Sequence, residues 1–213
     1  MDRLQRNGGT FGILAGVALG VLFVAFATSG ITPDILGDPA KALPAIREQA
    51  ARLRLIGLFG TLTVAFSLPF SAALYLRLRN GAPTRATTGL LLLLVGLIGH
   101  GLGSLFAGVG FPSVAAVTDQ TAASPAYLAV LAADQVVDTL GNAFTGAGDA
   151  VVGWAIVSTA ALPPVVGWVF ALTGIVNVLL ALAPGPDILF IGSIVLTIIS
   201  LIWGGVALRR AAA

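Results

Sequence analysis

The chain has no cysteine and, among its 213 residues, a single histidine, His100, and a single lysine, Lys41. Without cysteine there is no disulfide, no thiolate metal site and no thiol nucleophile. One histidine excludes bis-histidine haem ligation, a di-histidine zinc site and the His-Glu-x-x-His protease helix. No glycine-rich loop ends in Lys-Ser or Lys-Thr, so there is no phosphate-binding loop. Charge is scarce as well: 9% of residues are Asp, Glu, Lys or Arg, against about 25% in a soluble domain. A chain with so little charge cannot cover a water-facing surface.

What is abundant is hydrocarbon. Hydrophobic residues make up 57% of the chain, and the mean hydropathy is +1.01. The natural solvent is the lipid bilayer, where backbone polar groups must be satisfied internally. The apolar runs are continuous rather than alternating, which favours helices over a β-barrel. The expected fold is an all-α integral membrane bundle of about six transmembrane helices in one domain, residues 1–213. The spans fall at about 10–29, 55–76, 88–110, 137–160, 165–183 and 188–208. The first follows Arg3 and Arg6 like a leader peptide, but its apolar run is long enough to span.

Between the first two spans, residues 40–55 read as an amphipathic helix on the membrane surface. Pro69 is expected to kink the second span, and Phe111-Pro112 to end the third. The stretch 113–136 is expected to hold a short interfacial helix. Pro163-Pro164 and Pro184-Gly185-Pro186-Asp187 read as tight hairpins. With the N-terminus inside, the inner segments carry Arg3, Arg6, Arg77, Arg79, Arg85, Arg209 and Arg210. The outer ones carry Lys41, Arg47, Arg52 and Arg54 beside most of the acids. The positive-inside rule then favours both termini in the cytoplasm. The cations sit at helix ends and form no patch for nucleic acid.

Small residues recur every fourth position at Gly12, Gly16 and Gly20, and again at Gly99 and Gly103. Such stripes let helices approach closely. They serve packing within the bundle or, for the first helix, a homo-oligomer or a larger membrane complex. Hydroxyl stripes at Thr63, Ser67 and Ser71, and at Ser193, Thr197 and Ser200, read as interhelical glue.

The fourth span carries the most informative pattern. Asp138, Asn142, Thr145 and Asp149 are spaced by four, three and four, which places them on one helix face. A carboxylate deep in the bilayer costs at least about 2.5 kcal/mol. Counted from the expected span ends, His100, Asp149 and Asn177 reach similar depth. They are therefore expected to form a buried polar cluster, reached from outside along the Asp138 stripe. The plain alternative is a His–Asp pair acting as glue. Gly99-His100-Gly101 also bares an imidazole that a flat macrocycle could use as an axial ligand. No Gly-x-Ser-x-Gly elbow or paired metal-binding acids accompany these residues, so no catalytic group and no metal site are assigned.

Gly153-Trp154, Ser158, Leu162-Pro163, Gly167-Trp168 and Gly174, with Ala73-Leu74-Tyr75-Leu76, resemble an uncharacterised bacterial family of six-helix membrane proteins, domain of unknown function 4386. The resemblance implies a long first outer loop, a Pro-x-x-x-Gly hairpin between helices four and five, and residence in the bacterial plasma membrane. It implies no activity and no cofactor. On the residues alone, His100, Asp138, Asn142, Thr145, Asp149 and Asn177 are the candidate ligand-binding set of an outward-facing polar pocket for a small or lipophilic solute. The alternatives are a non-catalytic accessory or scaffold subunit and, weakest, an intramembrane enzyme.

Overall fold

Six long helices follow one another around a closed ring in the computed structural model, which describes residues 2–183 and 187–212. In chain order the helices are α1 (Asp2–Ala27), α2 (Pro33–Leu36), α3 (Pro39–Glu48), α4 (Ala50–Leu78), α5 (Pro83–Leu105), α6 (Phe111–Ala115), α7 (Gln120–Thr159), α8 (Pro164–Leu182) and α9 (Asp187–Ala211). A π-helical turn, Phe106–Gly110, joins α5 to α6. There is no strand among the described residues. The ring order is α1, α4, α5, α7, α8, α9 and back to α1, each packed on the next.

Five helical segments are long and apolar enough to cross a membrane: Arg3–Ala27, Ala50–Leu78, Pro83–Ala115, Pro164–Leu182 and Leu189–Ala211. Large apolar side chains line their outer faces, such as Val17 and Val21 on α1, Val95 and Ile98 on α5, and Leu172 and Ile175 on α8, all exposed. A band of this kind around a whole molecule is a lipid-facing surface. The chain is a multi-pass membrane protein. The expected fourth span, within α7, falls short of that apolarity because its own polar stripe dilutes it.

Several helix ends differ from the sequence expectations. The surface helix stops at Glu48 rather than running to Leu55, and α4 starts at Ala50, with Gln49 as the break between them. The third span does not end at Phe111-Pro112. It passes through the π turn, which closes with Phe111 N–H on Phe106 O, and continues to Ala115 with Pro112 just beyond that turn. The helix expected from about 137 begins at Gln120, capped by Asp119, whose carboxylate accepts from Thr121 N at 2.9 Å. It absorbs the interfacial helix expected in 113–136 and runs 40 residues, or about 60 Å at ~1.5 Å per residue. That is twice the ~30 Å hydrocarbon thickness.

The surplus length of α7 helps build a cap at one end of the ring. There Leu43, Ile46, Ile56, Phe111 and Tyr127 form a buried apolar cluster. Arg47 Nε donates to Ala115 O at 2.9 Å, and the Tyr127 hydroxyl donates to Leu36 O at 2.7 Å. At the other end, where α1 begins and α9 finishes, Phe70, Leu74, Leu78, Ile156, Val166 and Leu208 form a second core. The α7–α8 hairpin closes as expected: α7 ends on Ala160 at φ 49°, and Pro163 precedes the first turn of α8. Arg77 Nε donates to Ala161 O at 3.0 Å across this hairpin. The hairpin expected at Pro184-Gly185-Pro186 lies outside the described residues.

Candidate functional site

The polar residues of the long helices share one direction. A helix turns about 100° per residue, so a side chain two positions from a lipid-facing one points to the opposite side. On α5, His100 stands two positions from exposed Ile98. On α7, Asp138 and Asn142 flank exposed Leu140, and Asp149 repeats their face. On α8, Thr173 and Asn177 flank exposed Ile175, and on α9, Ser193 and Thr197 flank exposed Val195. Thr63 and Ser67 do the same around Ala65 on α4. Five of the six ring helices thus turn polar groups inward, while α1 turns Leu19 and Leu22 inward. Below this lining, toward the termini, the interior becomes apolar. Phe70 and Phe170 stack there with centroids 6.3 Å apart, each 2% exposed.

Glycine contacts fix the level at which α5 and α7 meet. A Cβ at Gly141 would lie 3.0 Å from His100 Nδ1, and one at Gly148 would lie 2.9 Å from Leu93 N. His100 therefore meets the Asp138–Thr145 stretch. Its Nε2 is 3.1 Å from Thr145 Oγ1, and its Nδ1 is 3.9 Å from Asp138 Oδ1. The Thr145 hydroxyl gives its own proton to Gly141 O, which makes His100 Nε2–H the donor to Thr145. Asn142 Nδ2 donates to Asp138 Oδ2 at 3.1 Å. Although Asp138 faces the ring interior, its side chain is 56% exposed, and that of His100 is 32% exposed. Both side chains keep surface that no neighbouring side chain covers.

The expected His100–Asp149–Asn177 cluster does not form. Asp149 lies about two turns deeper than His100, near the level of Leu93. Depth was reckoned from helix ends that the structure moves: α5 begins at Pro83 rather than Thr88, which lifts His100 relative to Asp149. Asp149 is 8% exposed and makes no side-chain hydrogen bond or ion pair among the described residues. Asn177, also buried, accepts from the Ser193 hydroxyl of α9. One turn further in, Thr173 Oγ1 and Ser200 Oγ lie 2.7 Å apart. The six sequence candidates are thus divided into His100 with Asp138, Asn142 and Thr145, then Asp149 alone, then Asn177 with Ser193.

Asp134 is a lining residue that the sequence reading passed over. It extends the α7 stripe by one turn, and its Oδ1 lies 3.7 Å from where a Gly103 Cβ would be. Its four-residue spacing from Asp138 was the available signal. Two grooves of about 370 and 350 Å³ border the ring, one beside Arg54, Thr61 and Ser104, the other beside Pro163, Trp203 and Arg210. Neither includes a residue of the α7 stripe. The glycines of α1 face inward too. A Cβ at Gly12 would lie 2.6 Å from the Phe70 ring, and one at Gly16 would lie 2.6 Å from Ile202.

A protein-family model described as a domain of unknown function, DUF4386, matches residues 13–208. The chain belongs to the DUF4386 family. The match runs from the middle of α1 to the end of α9, so this DUF4386 domain includes every residue of the polar lining. No curated protein and no solved structure matches the chain.

Proposed function

We propose that this DUF4386 protein binds a small solute in an outward-facing polar chamber within the bacterial plasma membrane, with α7 as a sixth span and both termini in the cytoplasm. The observation that carries this reading is Asp138, which faces the ring interior yet keeps more than half of its side chain exposed. Space therefore lies in front of it. The chamber opens toward the cap and is closed toward the termini by Phe70 and Phe170. Arg77, Arg79, Arg85, Arg209 and Arg210 all lie at the terminus end, which supports a cytoplasmic position for that end. Transport, as opposed to binding, would require the phenylalanine floor to part. The accessory-subunit alternative, through Gly12, Gly16 and Gly20, has less support, because Gly12 and Gly16 already pack on Phe70 and α9.

The lack of native cysteine makes a direct test available. A single Asn142→Cys chain is exposed in intact cells to a membrane-impermeant maleimide. Rapid labelling from outside is expected, with Leu140→Cys, on the lipid face, reacting far more slowly. If Asn142→Cys is inert while Glu48→Cys in the cap labels, there is no open chamber.

A further inference from the structure

The chamber reading leaves the class of solute open, and resting on it we propose that the solute is a small organic cation, an amine or quaternary ammonium compound, held by Asp149. The charges of the lining are one-sided. Asp138 and Asp149 face inward, and Asp134 extends the same stripe. The described arginines and Lys41 lie at the two ends of the ring or in the cap. The one inward basic group, His100, sits 3.9 Å from Asp138. An anionic solute would meet carboxylates with no fixed cation to offset them.

A neutral polyol would need several free donors and acceptors, and most of those in the lining are already engaged. Asn142 is bonded to Asp138, Thr145 to His100 and to Gly141 O, Asn177 to Ser193, and Thr173 to Ser200. Asp134, Asp149 and Ser67 are not so engaged, and Asp149 is the more buried of the two carboxyls. It is 8% exposed, lies on the inward face of α7, and has no partner among the described residues. A buried carboxyl without a partner either stays neutral or is matched by a positive charge, and a cation entering the chamber supplies that charge.

An inorganic ion fits less well. No group of three or more His, Asp or Glu side chains among the described residues is placed to hold a metal. Hard cations take six or more oxygen ligands. The wall across the chamber, α1, offers Leu19 and Leu22, and the floor is apolar. A buried carboxylate opposite an apolar wall suits a charged nitrogen on an apolar body.

The two polar bonds between α8 and α9 place Thr197 between the levels of Asn177 and Thr173. Asp149 lies at that level too, because a Cβ at Gly146 would approach Asn177 and one at Gly174 would approach Ala150. A Thr197→Cys thiol therefore sits at the depth of Asp149 and reports on a solute bound there. Purified Thr197→Cys protein in lipid nanodiscs is labelled with maleimide in the presence of choline, benzyltrimethylammonium or phenethylamine. The control for choline is its neutral isostere, 3,3-dimethyl-1-butanol. At about ten times its Kd, a bound cation slows labelling about tenfold by mass action. The isostere is expected to have no effect, and Asp149→Asn in the same background is expected to abolish protection. Should Asp149→Asn fail to fold, the contrast between choline and its isostere still decides. Labelling that no cation slows, or protection that survives Asp149→Asn, overturns the proposal while leaving the chamber intact. A thiol inert under all conditions removes the chamber and this proposal together.

Discussion

Thr145 Oγ1 accepts a hydrogen bond from His100 Nε2 at 3.1 Å while its own hydroxyl donates to Gly141 O, one turn earlier on α7. One hydroxyl thus ties α5 to α7 and closes a bond within its own helix. Replacing Thr145 with Val keeps the shape and removes both bonds. The expected loss of stability is about 1 kcal/mol, the usual size of an interhelical bond in a membrane. Unfolding in mixed micelles measures it, and an unchanged midpoint would remove the bond from the account of what holds these helices together.

The α5–α7 contact also depends on the absence of side chains. A Cβ at Gly96 would press on Thr145 Cγ2 at 2.6 Å, whereas one at Gly192 would meet nothing within 4 Å. Gly96→Ala should therefore cost about 1–3 kcal/mol through overpacking. Gly192→Ala should be neutral or gain up to about 1 kcal/mol from helix propensity. Equal effects of the two in the same unfolding assay would contradict the packing described.

Ala160 ends α7 with φ at 49°, a left-handed conformation that its Cβ opposes. Ala160→Gly removes that opposition and should raise stability by about 1 kcal/mol. A lower melting temperature for this variant would show that the hairpin relies on something other than its backbone turn.

Asp149→Leu separates function from stability. A carboxyl 8% exposed and without a partner is a structural burden. Its replacement by an apolar side chain should stabilise the bundle by about 1–2 kcal/mol, within the insertion cost of a mid-membrane acid. The same change should abolish binding of quaternary ammonium compounds. A strongly destabilised variant would instead make Asp149 a structural residue.

The periodic and apolar features were readable from the chain. Helix class and most of the apolar runs follow from the bilayer's demand that backbone groups be paired internally. The α7 stripe follows from a spacing of four, three and four, and Pro163 marks its hairpin. The helix ends were not readable. Pro112 and Pro125 look like stops, yet one opens α6 in its first turn and the other lies within α7. That error carried into the site. Which residue faces which across two helices depends on their relative depth, so a start displaced from Thr88 to Pro83 changed His100's partner from Asp149 to Thr145. The correct face was found with the wrong level on it.

At five of the six junctions of the ring, a glycine lies against the backbone of the next helix, as Gly8 does at Pro69 O and Gly153 at Ala171 N. The junction between α8 and α9 is made differently. It is closed by the Thr173–Ser200 and Asn177–Ser193 bonds and by the Phe170 ring against Gly204. Water can substitute for a hydroxyl or an amide but not for close backbone contact, so this is the junction whose bonds water could replace. Ile175 and Ile199 stand exposed on the outer faces of its two helices. Five seams of the ring are thus zipped backbone to backbone, and the sixth is held by side chains alone.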